Sequence, residues 1–483
     1  MVSSVRCFAR THSSALMRAS VIGGLVSVLL AVGYLVTRPK MNPFFILIAV
    51  IVPLGAFAVL KRIEVGFIAI LLSGVFVRFR IPTGTVSEIV ISLLICTGVL
   101  GLWAVRMLVV DRRLAMKPAP TNFPLLAFVV TVFISLVWSR VFRDVLVHDA
   151  GSPFVSVAAA VVMALLPATF LLVANLVQDV RWLQVVVAVF LVEGLVSLFV
   201  TLNVGGIYAI VNPVFQTGLL WVNTHGLFSM WYLSLALALA MFNRRLHWVL
   251  RIALLAYAAG WVYWGFFQRV TWLSGWVPAF AVAAVIAFLR SKKLFIVVMI
   301  VVVAGAGLYY WRTAFEAETQ ESGFTRLAAY EVNWRVTSKH LLFGTGPAGY
   351  ASYYMTYFPA EGMATHNNYI DIIAQTGAVG SFLILWFFGT LVWNGYKLRR
   401  QLRNRGDFAE SLAVAALAGT CGCVVAMALG DWLFPFAYTQ GIMGFDAAMI
   451  NWFFMGSLWA LSYSLAPGMP APCTLLAERG VAQ

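Results

Sequence analysis

Apolar stretches of bilayer-spanning length alternate with short polar connections along nearly the whole chain. Clear examples are Pro43–Leu60, Ser87–Ala104, Phe154–Leu176, Trp182–Leu202, Gly218–Met241, Lys293–Tyr310 and Ser411–Leu429. A helix of about twenty apolar residues crosses the hydrocarbon core of a membrane, so each stretch predicts a transmembrane helix. The longest polar interruption is Trp311–Thr365, whose charged residues predict that it is solvated. Its centre, FTRLAAYEVNWRVTSKHLLFG, has a helical pattern that sets Arg326, Tyr330, Asn333 and Thr337 on one face, which predicts a short helix lying over the membrane. The GTGPAG that follows predicts a sharp turn at Gly344, Gly346, Pro347 and Gly349. After it comes HNNYID, the polar entrance to a further span, His366–Trp393, in which Gly377 and Gly380 let a neighbouring backbone approach closely.

Composition strengthens this pattern. Of 483 residues 62% are hydrophobic and 11% charged, against roughly 45–50% and about 25% in soluble domains. The expected fold class is all-α, a polytopic helical membrane protein. The boundaries divide it into N-terminal transmembrane helices (1–311), an external loop with its own helix (312–365) and C-terminal transmembrane helices (366–483).

The formal net charge of +15 does not point to nucleic acid, because the basic residues fall at every second connection. They gather as Arg112, Arg113 and Lys117; Arg244, Arg245 and Arg251; Arg290, Lys292 and Lys293; and Lys397, Arg399, Arg400, Arg403 and Arg405. That alternation is the positive-inside pattern and sets these loops in the cytoplasm. Reading outward gives about fourteen spans with both termini inside. Arg38, Lys40, Arg78 and Arg80 then fall outside, which leaves the order of the first three spans open. The run after Arg6, Arg10 and Arg18 lacks a small-residue cleavage site and is read as a retained first helix. Cys7, Cys96, Cys421, Cys423 and Cys473 lie in spans or inside, without the spacing or partners of a zinc site. No cofactor or metal is expected, and no phosphate-cradling loop or nucleophile elbow occurs.

Polar residues in this apolar setting are the candidates for chemistry. His366 is either a general base at the outer boundary or a helix-start residue, with Asn367 or Asn368 capping free N–H groups. Arg269, in the short turn GFFQRVTWLSGW, faces a cavity or meets lipid headgroups. Arg326 is an anion-binding cation or a solvated ion-pair partner. Two arginines beside an external His describe a site for an anion, diphosphate above all. Glu193, deep in FLVEGLVS, is a proton or ion relay or a paired buried acid. Asp371 and Asp431 are each able to orient a ring or bind an acceptor sugar. Asn223 and His225, in LLWVNTHGLFSM, can add polar contacts to the same cavity.

The stretch TRLAAYEVNWRVTSKHLLFGTGPAGYASYYMTYF, followed by THNNYIDIIAQTGAVGSF, resembles the signature region of the O-antigen ligase and Wzy-type polymerase superfamily. The matching positions are Arg326, Trp334, Gly344, Gly346, Gly349, His366, Asn367, Gly377 and Gly380, and the close likeness covers about 322–381. The turn holding Arg269 departs from the family's Ser-Arg-small pattern, reading Gln268-Arg269-Val270, and Asn223-Thr224-His225 only loosely meets its Asn-rich motif.

The resemblance implies a metal-independent glycosyltransferase of GT-C type, multi-pass in the bacterial inner membrane with its site on the periplasmic face. It implies a polyprenyl-diphosphate-linked glycan as donor and a lipid or glycan hydroxyl as acceptor, in O-antigen or exopolysaccharide biosynthesis. His366 would take the acceptor proton while Arg326 and Arg269 hold the diphosphate. Asn367, Asp371, Asn223 and His225 would support the acceptor. Ligase and polymerase are not separable on these motifs. The alternative from another class is a flippase for the same lipid-linked sugar, against which stand the concentration of polarity at one face and the lack of an internal repeat.

Overall fold

The computed structural model describes residues 61–465, with residues 55, 58 and 59, apart from short internal stretches at 84–87, 111, 114–115, 143, 145–146, 148–152, 270–271, 306–323 and 358–363. Side chains of residues 324–327 also lie outside the description. Residue contacts divide the chain into two units, 1–69 and 70–483. In the first, the expected span Pro43–Leu60 and the retained N-terminal helix lie almost wholly outside the described residues. What is described is a turn in which the Arg62 N–H donates to the Ala58 carbonyl at 2.8 Å, leading into helix α1 (Glu64–Phe76).

The second unit begins within α1 and continues through a short antiparallel hairpin, β1 (Arg80–Pro82) and β2 (Glu88–Val90), in register Arg80↔Val90 and Pro82↔Glu88. Then follow α2 (Ile91–Val105), α3 (Asn122–Val141), α4 (Pro153–Leu176), α5 (Val180–Thr201), α6 (Ile207–Phe215), α7 (Phe228–Phe242), α8 (Trp248–Tyr263), α9 (Leu273–Arg290) and α10 (Lys292–Gly305). Helices α11 (Phe324–Thr337) and α12 (Gly349–Tyr357) occupy the expected external loop, and α13 (Asn368–Gln401), α14 (Phe408–Met427) and α15 (Phe445–Leu465) complete the chain. Among the described residues eight helices are long and apolar enough to cross a membrane. Lipid cannot hydrogen-bond a peptide group, so a helix, which satisfies its own backbone, is what an apolar run must form there.

The centre of the bundle is α4, α7, α14 and α15. Phe170 of α4 meets Phe387 of α13 edge-on at 5.2 Å, and Phe387 stacks on Trp452 of α15 at 5.7 Å. Several buried polar groups in this core are paired: Trp231 Nε1 donates to Asn451 Oδ1 at 2.8 Å and Ser234 Oγ to the Ala415 carbonyl at 2.8 Å. Outer helices instead turn apolar side chains outward, as Phe123, Val130 and Val137 do on α3 and Ile300 and Val301 on α10. A rim of exposed apolar residues suits lipid and not water.

The basic connections gather at one end. Arg244 N–H donates to the Gly406 carbonyl at 2.9 Å, the Arg290 guanidinium lies over the Phe242 ring at 5.9 Å, and Arg399 donates to the Leu289 carbonyl at 2.7 Å. Asp407 caps α14 by accepting from Glu410 N–H, while Glu410 reaches back to the Asn404 and Gly406 N–H groups, a reciprocal cap.

Two expectations need correcting. The run Gly218–Met241 is not one helix: α7 starts only at Phe228, and residues 219–223 are extended alongside 75–79. The Trp221 N–H donates to the Phe76 carbonyl at 3.0 Å and the Arg78 N–H to the Leu219 carbonyl at 2.8 Å. Backbone pairing with a neighbouring segment overrides the apolar run here. Helix α11 forms where expected, but the face carrying Asn333 and Thr337 is buried and not solvated. Thr337 Oγ1 donates to Asn333 Oδ1 at 3.0 Å, while Trp334 and the Glu331–Arg335 pair are exposed.

Candidate active site

The opposite end of the bundle from the basic loops holds His366. Its backbone sits at φ 49°, a left-handed conformation that costs a non-glycine residue roughly 1–3 kcal/mol. The next residue, Asn367, caps α13 by accepting from the Tyr369 and Ile370 N–H groups at 3.0 and 3.4 Å. Asn368 is fully buried and grips the connection between α14 and α15: its amide donates to the Phe434 carbonyl at 2.8 Å and its oxygen accepts from Leu433 and Phe434 N–H. The polar cluster at the head of α13 therefore has three separate jobs, and the His366 imidazole is part-exposed while Asn368 is buried.

The connection that Asn368 grips carries Asp431. His366 Nδ1 lies 3.6 Å from Asp431 Oδ1, with the imidazole 41% exposed and the carboxylate 2%. Asp431 also accepts from the Phe436 N–H at 3.1 Å, Thr439 Oγ1 at 2.7 Å and Gln440 Nε2 at 3.1 Å. Burial pushes the Asp431 carboxyl up, but His366, Thr439 and the Phe436 N–H outweigh it and hold it below the usual carboxylate range. A fixed anion thus addresses one ring nitrogen of a half-open imidazole.

Behind this pair lies Asp371, buried on α13, where it accepts from Tyr350 Oη at 2.6 Å and Thr365 Oγ1 at 2.5 Å. Tyr350 stacks on Phe436 at 4.5 Å. A closed ring of contacts results, His366 to Asp431, Phe436, Tyr350, Asp371 and Thr365, which returns to the residue before His366.

The glycine-rich turn explains why α13 needs a glycine in its interior. At Gly377 (φ 70°) the helix breaks. The Ala374 and Gln375 carbonyls accept from the Thr345 and Gly346 N–H groups at 2.8 and 3.0 Å. The Ala378 N–H donates to the Leu341 carbonyl at 2.7 Å, so the turn and the broken helix exchange backbone hydrogen bonds. A Cβ on Gly377 would lie 2.1 Å from the Leu342 oxygen, and one on Gly344 2.6 Å from the Ala374 oxygen. This joint fixes α11, at the start of the turn, to α13. Arg326 lies in the first turn of α11, by its backbone, with its side chain outside the described residues.

Arg269 follows the π-helical end of α8 (Trp264–Gln268), exposed, with its guanidinium 5.9 Å from the Trp264 ring centre. Trp264 meets Trp272 at 5.9 Å, and Trp272 meets Trp432, the neighbour of Asp431, at 6.0 Å. A ladder of tryptophans thus brings the Arg269 turn against the loop that orients His366. Asn223 is buried, donating to the Gly74 carbonyl at 3.2 Å and turning the chain by accepting from the His225 N–H. His225 stacks on Trp221 at 6.2 Å; partial burial and then the charge of Arg269 lower its pKa. Glu193 is buried on α5 with neither oxygen hydrogen-bonded among the described residues, beside Tyr232 and Tyr257. It belongs to the bundle interior and not to the His366 cluster.

In the sequence Asp431 stands out no more than Asp371, and Asn368 only as a cap. The signal for Asp431 was its isolation, an acid at the end of the apolar run that forms α14. Among the described residues no group of three His, Cys, Asp or Glu side chains is arranged to hold a metal.

The fold and this site define a polytopic helical membrane protein with a His–Asp pair at the end of its bundle away from the basic loops. Residues 228–385 match the family model Wzy_C, described as O-Antigen ligase. The match bears out the resemblance to the O-antigen ligase and Wzy-type superfamily, and supports a membrane enzyme of O-antigen or polysaccharide assembly. It takes in α7 to α12, the glycine-rich turn, His366 and the first half of α13, and stops short of Asp431. No curated protein matches the chain.

Proposed function

We propose that the protein transfers glycan from a polyprenyl-diphosphate-linked donor to a hydroxyl acceptor at the periplasmic face of the bacterial inner membrane, with His366 as general base. The observation that carries this reading is the His366–Asp431 pair, a half-exposed imidazole set 3.6 Å from a buried carboxylate. Asp431 faces Nδ1 at 3.6 Å, which leaves Nε2 as the nitrogen to take the proton of the attacking hydroxyl. The new bond joins the acceptor oxygen to the sugar, and the bond from that sugar to the lipid diphosphate breaks. Diphosphate carries the electron pair away, and Arg269 and Arg326 stabilise its charge. Asp371 acts as a positioning residue through Thr365 and Tyr350, and Asn367 as the helix cap. Asn223 shapes the turn that offers His225.

The donor's tail needs an apolar path beside the site. A cavity of about 420 Å³ between the head of α4 and residues 435–442, lined by Phe154, Val157, Val162, Pro435 and Ile442, supports such a path. The deciding experiment is the length profile of carrier-linked glycan in cells whose only copy carries His366→Ala. Accumulated single repeats support polymerase action, and long chains stranded on the carrier support ligase action. A profile equal to that of the wild type overturns the reading.

A further inference from the structure

The pairing of residues 75–79 with 219–223 builds a cluster outside the matched family segment. It aligns the chain so that the Arg78 and Arg80 guanidinium groups both lie over the Trp221 ring, at 5.6 and 5.7 Å, while Trp221 stacks on His225. His225 in turn feels the charge of Arg269. Arg80 also reaches Met443 Sδ at 2.9 Å, on the loop that continues from Asp431. Two independent routes, one through His225 and one through residues 431–443, therefore tie this cluster to the His366 site.

Its chemistry is unbalanced. Arg80 has one long ion pair, 3.5 Å to the part-exposed Glu88, and Arg78 has no carboxylate partner among the described residues. Asp446, the nearby buried acid, accepts a hydrogen bond from Ser92 and feels the charge of Arg80, with no ion pair between the two among the described residues. Two N–H donors in the cluster, Arg80 Nε and Trp221 Nε1, are buried without a hydrogen-bond partner among the described residues. A buried donor left unmade costs about 1–3 kcal/mol. Two neighbouring guanidinium groups, that of Arg78 exposed, draw an acceptor-rich anion.

We infer that Arg78, Arg80 and Trp221 form a binding subsite for an acidic sugar, one carrying a phosphate or carboxylate, on the glycan substrate that approaches His366. The inference rests on the proposed transfer reaction for its substrate class, but its test reads binding without turnover. The full chain is placed in nanodiscs of phosphatidylcholine alone and probed with glucose 6-phosphate and with glucose by saturation-transfer NMR.

The expected result is a clear preference for glucose 6-phosphate, reduced roughly tenfold in the double variant Arg78→Gln/Arg80→Gln, as loss of charge-assisted contacts predicts. Trp221→Phe keeps a ring but removes the N–H, and should weaken both probes less than the double variant weakens the phosphate. Equal binding of the two sugars, or a preference that survives the double variant, overturns the inference. So does loss of the preference when phosphatidylglycerol is added, because the cluster would then hold lipid headgroups. Tighter binding of inorganic diphosphate through the same two arginines would also overturn it, by assigning them to the leaving group. Failure of glycan transfer with this preference intact removes only the reading of His366.

Discussion

At the residue scale, His366 and Asp431 act as one unit whose two members can be tested apart. His366→Ala should lower the transfer rate by about 10²–10⁴-fold, the range a positioned base supplies, with yield and gel-filtration profile unchanged. Asp431→Asn keeps the shape but loses the anion, and should lower turnover on the order of 10²-fold with little change in donor affinity. A rate equal to that of the wild type in either variant, measured on lipid-linked donor, would remove that residue from the site. Asp431 also has a stability signature. Its folded carboxyl titrates below the usual range, so its contribution is full above the unfolded value of about 3.9. That contribution is lost as pH falls through the folded value. The wild type should therefore lose its melting-temperature advantage over Asp431→Asn only below about pH 4; an equal difference at neutral pH and at the lowest pH would count against it.

At the scale of elements, the joint between the glycine-rich turn and broken α13 holds the site together. Gly377→Ala meets the Leu342 oxygen at 2.1 Å and must hold φ 70°. The backbone strain alone is roughly 1–3 kcal/mol, and the clash adds to it. The expected outcome is a marked drop in melting temperature and yield in detergent, where Gly389→Ala, in open space on the same helix, should be neutral. Asn368→Ala leaves three loop backbone groups short of a partner and should cost about 1–3 kcal/mol for each that stays unpaired. Its more telling effect is on turnover, because the freed loop carries Asp431.

At the scale of the whole molecule, the basic connections and His366 lie at opposite ends of the helices that join them. Single cysteines at positions 403 and 366 should therefore react with a membrane-impermeant maleimide from opposite sides, position 366 from outside in intact cells. Labelling of both from one side would refute the assigned orientation.

Much of this was written in the one-dimensional pattern. Lipid leaves a long apolar run little choice but helix, so Phe154–Leu176 and Ser411–Leu429 reappear as α4 and α14 with ends moved by a few residues. Cap chemistry is local, and Asn367 shows it. The exchange between the glycine-rich turn and Gly377 was foreshadowed by the glycines alone, as positions where backbone could come close. Partner choice across long sequence separation was not legible. The pairing of Asp431 with His366, the clasp of Asn368 on Phe434, and the extended pairing of 219–223 with 75–79 join residues that no local period relates. An apolar run states that a segment is buried or faces lipid. Which of its few polar side chains meets which is decided only when the helices pack and each buried donor must find its acceptor.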